Sequence, residues 1–205
     1  MIKKLVLLWA LLCPLTAQAV HIVSREAHVD VRSNRVIHIV GPIFSSMSWG
    51  FLVEGATTLH GPGARVLIIN SPGGEVGLGQ KMIDVLLAER EQTGQPLVCA
   101  VIGHASSMAF NILSYCDVRL AVQGSEFTVH KIEGDIPDGY RHTAENLRKM
   151  AKVLDSIDEV YRKKNAEMMH LSLKAYDHYA NQEKSWTVDE LLKLGYLNGT
   201  CTVDQ

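Results

Sequence analysis

Gly103-His104-Ala105-Ser106-Ser107-Met108-Ala109 is the stretch whose residue types can do chemistry. The β-branched and apolar run Leu97 to Ile102 leads into it and the apolar run Met108 to Leu113 leads out. That order predicts a strand, a tight turn of small residues and a buried helix. A serine in such a turn sits at a helix N-terminus, where backbone N–H groups are free and the dipole favours negative charge. This is the setting of a nucleophile elbow, although the Gly-x-Ser-x-Gly form is absent. Small residues also fill such turns for packing alone. A second stretch, Ser71-Pro72-Gly73-Gly74, follows another apolar run, Arg65 to Asn70. Paired glycines ahead of a helix let backbone N–H groups approach a ligand closely; a plain strand-to-helix turn is the alternative.

The elements that must position these turns follow from periodicity. Strands are predicted over Arg35–Val40, Arg65–Asn70, Leu97–Ile102, Val118–Val122, Glu126–His130 and Tyr196–Val203. Helices are predicted over Ser45–Leu59, Val76–Arg90, Ser107–Tyr115, Thr143–Met169 and Leu171–Asn181. A short last helix starts at Thr187, with Glu190 completing a capping box and Gly195 stopping it. Residues 20–34 read as an arm or edge strand. The nearly all-apolar strands suit a parallel sheet covered on both faces, and the alternation predicts an α/β core. In the Thr143 helix, Leu147, Met150, Val153, Leu154, Ile157 and Val160 recur at three and four. It is long for this chain and is expected either to project toward another subunit or to lie on its own core.

With 205 residues, the chain suits one domain with a substantial core. A net charge of −2 gives no electrostatic case for nucleic acid. Lys3 and Lys4, the apolar run Leu5 to Leu12 and the small-x-small site Ala17-Gln18-Ala19 predict a signal peptide over residues 1–19. The expected location is therefore exported and periplasmic, with an uncleaved membrane anchor as the alternative. Residues 20–205 form the single mature domain, with a helical handle at about 141–181. Of the four cysteines, Cys99, Cys116 and Cys201 remain after cleavage. In an oxidising space they allow one pair, assigned to Cys116 with Cys201 because both flank short predicted strands; three buried thiols are the alternative. The histidines show no metal-ligand spacing, so no metal or other cofactor is expected.

Taken together, Asn70-Ser71-Pro72-Gly73-Gly74 after one strand and Gly103-His104-Ala105-Ser106-Ser107-Met108 after the next resemble the proteolytic subunit of the Clp protease. Asn34 to Gly41 looks like that family's first core strand, Thr128-Val129-His130 like its histidine-bearing strand end, and the helix after Thr143 like its oligomer-forming handle. Glu190 to Tyr196 resembles its Glu-x-x-x-x-Gly-Leu segment, with Tyr196 in place of leucine. The resemblance spans residues 34–203 and implies a ClpP/crotonase-like α/β fold of repeated β-α units. It places Ser107 on the nucleophile, His130 on the general base, and Gly74 and Met108 on the amides of the oxyanion hole. The family's aspartate falls on Glu183 here, one methylene longer, with Asp177 as the fallback acid.

The resemblance implies a serine peptidase acting through an acyl-enzyme on peptides or unfolded proteins, as a homo-oligomer. The cytoplasmic family works with an ATP-driven unfoldase; an exported chain has no ATP for such a partner, so none is expected. Three other readings compete. One is a serine–lysine dyad of the signal peptide peptidase A type, using Lys149 or Lys152. Another is a binding or assembly protein on the same fold with a decayed site. The last is a crotonase-type acyl-CoA enzyme, which Cys116-Asp117-Val118-Arg119-Leu120-Ala121 resembles and which export disfavours.

Overall fold

Strand β4 (Arg65–Ser71) is buried at every position but Asn70. Such a strand belongs inside a sheet covered on both faces. The computed structural model describes residues 22–23, 26–30, 35–44, 51, 65–134 and 143–204. In chain order the other strands are β1 (Ile22–Val23), β2 (Glu26–Asp30), β3 (Arg35–Val40), β5 (Leu97–Ser106), β6 (Val118–Ala121), β7 (Glu126–Thr128), β8 (Ser185–Thr187) and β9 (Gly199–Asp204). The helices are α1 (Val76–Thr93), α2 (Met108–Leu113), α3 (Ala144–Met168), α4 (Leu173–Ala180) and α5 (Val188–Lys193). The predicted signal peptide, most of the Ser45–Leu59 helix and residues 135–142 lie outside the described residues.

The described strands form one sheet in the order β1-β2-β9-β6-β5-β4-β3. From β2 to β3 every neighbouring pair is parallel. This is the mixed α/β architecture that the alternating elements require. Side chains alternate between faces along each strand. Leu67, Ile69, Cys99 and Val101 therefore meet Met82, Ile83 and Leu86 of α1 and Phe110, Ile112 and Leu113 of α2 in the main core. Val66, Ile68, Val98, Ala100, Leu120 and Cys201 form a second apolar cluster. Each fully buried side chain of this size contributes about 1.5–3 kcal/mol of transfer free energy.

That division corrects the cysteine pairing. Cys99 is joined to Cys116, with Cα atoms 6.0 Å apart, and Cys201 is a buried free thiol. Cys99 and Cys116 pack in the main core, whereas Cys201 packs in the second cluster, so Cys116 and Cys201 do not face each other. Cys116 reaches Cys99 because α2 returns the chain beside β5 just before β6 pairs with it.

Two elements matter most for the site. β5 runs four residues beyond the predicted Ile102. Its first part pairs with β6 and its end, His104 to Ser106, pairs with β7. Where β4 and β5 shift register, the Asn70 side chain accepts a hydrogen bond from the His104 amide at 3.2 Å. A β-carbon on Gly103 would collide with that Asn70 side chain, so the bulge needs both residues. α3 starts on a Thr143 side-chain cap. Its buried residues, Tyr161, Asn165 and Ala166, all lie in its second half, while Leu147, Val153 and Val160 are exposed. α5 carries the expected capping box of Thr187 and Glu190.

Candidate active site

Ser107 stands between the end of β5 and the start of α2, with φ 54° and ψ −123°. A positive φ on a residue with a β-carbon costs on the order of 1–3 kcal/mol and persists only where surrounding structure holds it. Here β7 does so: Ser106 pairs with Thr128, and the Ser107 amide donates to the Thr128 carbonyl at 2.9 Å. Gly73 completes the hold. Its missing β-carbon would lie 2.5 Å from the Ser106 carbonyl oxygen and 2.7 Å from both the Met108 amide nitrogen and the Ser107 β-carbon. The turn after β4 thus packs directly on the turn after β5. Among the described residues Ser107 Oγ has no hydrogen bond.

Two backbone amides lie beside it. Gly74 bridges to Ile43 as one residue of a parallel strand. The Ile43 amide donates to the Gly73 carbonyl at 2.7 Å and the Glu75 amide donates to the Ile43 carbonyl at 3.0 Å. In an extended chain successive amides point to opposite sides, so the Gly74 N–H faces away from Ile43. Gly74 at φ 147° could not carry a side chain, because its β-carbon would enter the Ile43 carbonyl. The Met108 amide opens α2, where the first N–H groups have no partner within the helix.

His130 follows β7, whose pairing with β5 and β8 brings the end of that strand to the Ser107 turn. Its Nδ1 lies 2.6 Å from the Lys131 carbonyl oxygen. A carbonyl only accepts, so Nδ1 carries the proton and the neutral ring keeps an acceptor lone pair on Nε2. Gly74, Ser107, Met108 and His130 line one cavity of about 190 Å³. No hydrogen bond joins Ser107 to His130 in this state; such bonds commonly tighten only when substrate arrives.

The two carboxylates named from the sequence are not brought to this cavity. Glu183 is exposed in the turn after α4, at φ 49°, with its amide donating to the Ala180 carbonyl. Asp177, on α4, pairs with Arg162 at 3.4 Å, and its Oδ1 is buried without a hydrogen bond among the described residues. Lys149 pairs with Glu145 on the exposed half of α3, and Lys152 is exposed on the same half; neither lines the cavity.

Sequence reasoning missed the cavity's polar floor. Asn111 and Tyr176 line it. Asn165 joins them: its Nδ2 donates to Asn111 Oδ1 at 2.7 Å and to the Tyr176 hydroxyl at 2.9 Å. The available signal was Asn111 itself, a polar residue inside the otherwise apolar run Met108 to Leu113. Among the described residues no group of three or more His, Cys, Asp or Glu could hold a metal ion.

Around one cavity stand an elbow serine, a histidine whose outer nitrogen has no partner among the described residues and two backbone amides likewise without one, the kinds of group that acyl transfer calls for. The family model described as Clp protease matches residues 58–201, more than two thirds of the chain and including every residue of that constellation. This is a family of serine peptidases whose members typically form homo-oligomers and act on peptides. On the strength of that match, the chain belongs to the Clp protease family.

Proposed function

We propose that the protein is an exported, periplasmic serine peptidase that cleaves peptides or unfolded proteins through an acyl-enzyme on Ser107, without an ATPase partner. The observation that carries the reading is the shared cavity of Ser107, His130, Gly74 and Met108. Ser107 Oγ would attack the scissile carbonyl carbon while His130 Nε2 takes its proton. The carbonyl oxygen, now negative, would accept from the Gly74 and Met108 amides. Collapse expels the amine, which takes the proton back from His130. Water, deprotonated by the same nitrogen, then releases the acid and restores Ser107.

The Lys131 carbonyl supports this sequence by fixing the tautomer, a task that a carboxylate performs in a triad. Export rests on the residue 1–19 pattern, with the Cys99–Cys116 disulfide as support. An ATP-driven partner would have no fuel in that compartment. Recovery of an ATPase with the mature protein would overturn that part of the reading.

The test of the chemistry is labelling with a fluorophosphonate, read by intact mass, for the native sequence, Ser107→Ala and His130→Ala. The expected result is one adduct, lost in both variants. Folded protein without an adduct would favour the binding or assembly reading. The serine–lysine reading predicts instead that Lys149→Ala or Lys152→Ala abolishes labelling and His130→Ala does not.

A further inference from the structure

The floor of the cavity beneath Ser107 has a chemistry of its own. Asn111, one helical turn past Ser107, donates its amide to the Ser107 carbonyl at 3.1 Å, which sets its side chain under the elbow. Its Oδ1 is taken by Asn165, and among the described residues its Nδ2 has only the Met108 thioether sulfur at 3.8 Å, a weak acceptor. The Tyr176 hydroxyl accepts from Asn165 and donates to no group among the described residues. Asn111, Asn165 and Tyr176 are 9%, 1% and 4% exposed. The donors that face the cavity are thus Asn111 Nδ2 and the Tyr176 hydroxyl, beside Val129, the Met108 side chain and the charged Lys131 and Glu133, with Asn165 Oδ1 buried behind them without a partner among the described residues.

Buried donors left unpaired are costly, by about 1–3 kcal/mol each. A ligand group that accepts from them relieves the cost, and one that cannot is rejected more strongly than a lost methylene would be. The group is neutral by the same surroundings. Asp158, whose Oδ1 accepts the Ile132 amide at 3.0 Å, and Asp177 both stand close enough to Tyr176 to act on it electrostatically. Burial, with these two carboxylates adding to it, pushes the Tyr176 phenol up to about 12, so its O–H stays a donor at neutral pH. Asp177 is paired with Arg162, and Lys131 and Glu133 face the cavity with opposite charges, so what disfavours a carboxylate against Asn111 and Tyr176 is the loss of its water with no cation among these donors, a cost that a side-chain amide carbonyl does not meet.

We propose that Asn111 and Tyr176, held by Asn165, make the pocket for the residue on the acyl side of the scissile bond selective for an uncharged hydrogen-bond acceptor, glutamine above all. This rests on Ser107 being the nucleophile. Specificity is then set by a floor that donates, with the aliphatic stem of the substrate residue against Val129 and Met108.

The test uses the full chain and a set of otherwise identical fluorogenic peptides carrying glutamine, norleucine or glutamate at that position, with fluorophosphonate labelling run in parallel. The expected kcat/KM for glutamine exceeds both others by about tenfold to a hundredfold. In Asn111→Leu the glutamine-to-norleucine ratio inverts, and in Tyr176→Phe it falls. The comparison among substrates on the native sequence decides the matter even where a variant fails to fold. Labelled Ser107 with norleucine or glutamate preferred would overturn the specificity and leave the nucleophile standing. Absence of both labelling and cleavage would remove the nucleophile and the specificity with it.

Discussion

Ser107 works, in this reading, because glycine stands opposite it. Gly73→Ala would put a methyl group 2.5 Å from the Ser106 carbonyl and 2.7 Å from the Met108 amide. Gly73 also has φ 89°, where a side chain is strained. The turn, rather than the core, has to give. The expected outcome is folded protein by circular dichroism with kcat reduced by about 10²–10³, the cost of one misplaced oxyanion donor. The histidine invites a second prediction. Because its Nδ1 is held by a backbone carbonyl, Glu183→Gln and Asp177→Asn should each retain fluorophosphonate labelling within about tenfold of the native rate, while His130→Ala loses it. A collapse in Glu183→Gln matching His130→Ala would show that Glu183 swings in to orient the ring when substrate binds. The residues legible in advance were those with a conformational signature: a serine among small residues, paired glycines, a histidine at a strand end. Asn165 and Tyr176 carried none, because they reach Asn111 from α3 and α4, which no local pattern brings near α2.

At the scale of elements, hydrophobic periodicity located the strands and helices well where one face is plainly apolar. β3, for example, matches its predicted bounds. It failed where tertiary pairing overrides local propensity. Gly103 reads as a strand breaker, yet β5 continues to Ser106 because β7 supplies a new partner where β6 ends. The cysteine pairing failed for a related reason: flanking a strand says nothing about which face a side chain takes. The faces make a prediction. The Cys99–Cys116 link ties β5 to the end of α2 and closes a loop of 17 residues in sequence separation. Its removal in a Cys99→Ala/Cys116→Ala variant should cost about 3 kcal/mol in the chain-entropy account, read as a lower midpoint of chemical unfolding. In the native protein Cys201 should resist alkylation at pH 8 and react only on unfolding, since burial pushes its thiol up to about 12.

At the scale of the molecule, α3 is too long for the core that it joins. Its second half is anchored through Tyr161, Asn165 and Ala166, and Asn165 holds the cavity floor. Ahead of Tyr161 it offers Leu147, Val153 and Val160 to solvent, with Val153 58% exposed. A single exposed apolar residue is unremarkable, but Val153 and Val160, seven residues apart, share one face of the helix and make a short stripe that association would cover. The family's members typically form homo-oligomers, and contact made on this stripe would bear on the site, since the same helix carries Asn165. Two consequences can be measured together. Native mass spectrometry should find an oligomer, and Val153→Glu with Val160→Glu should shift it toward monomer. The same variant should lower peptide cleavage, because a loosened α3 loosens the Asn165 bonds to Asn111 and Tyr176. Full cleavage by a monomeric variant would show that the floor is held within each subunit alone and that assembly serves some other end.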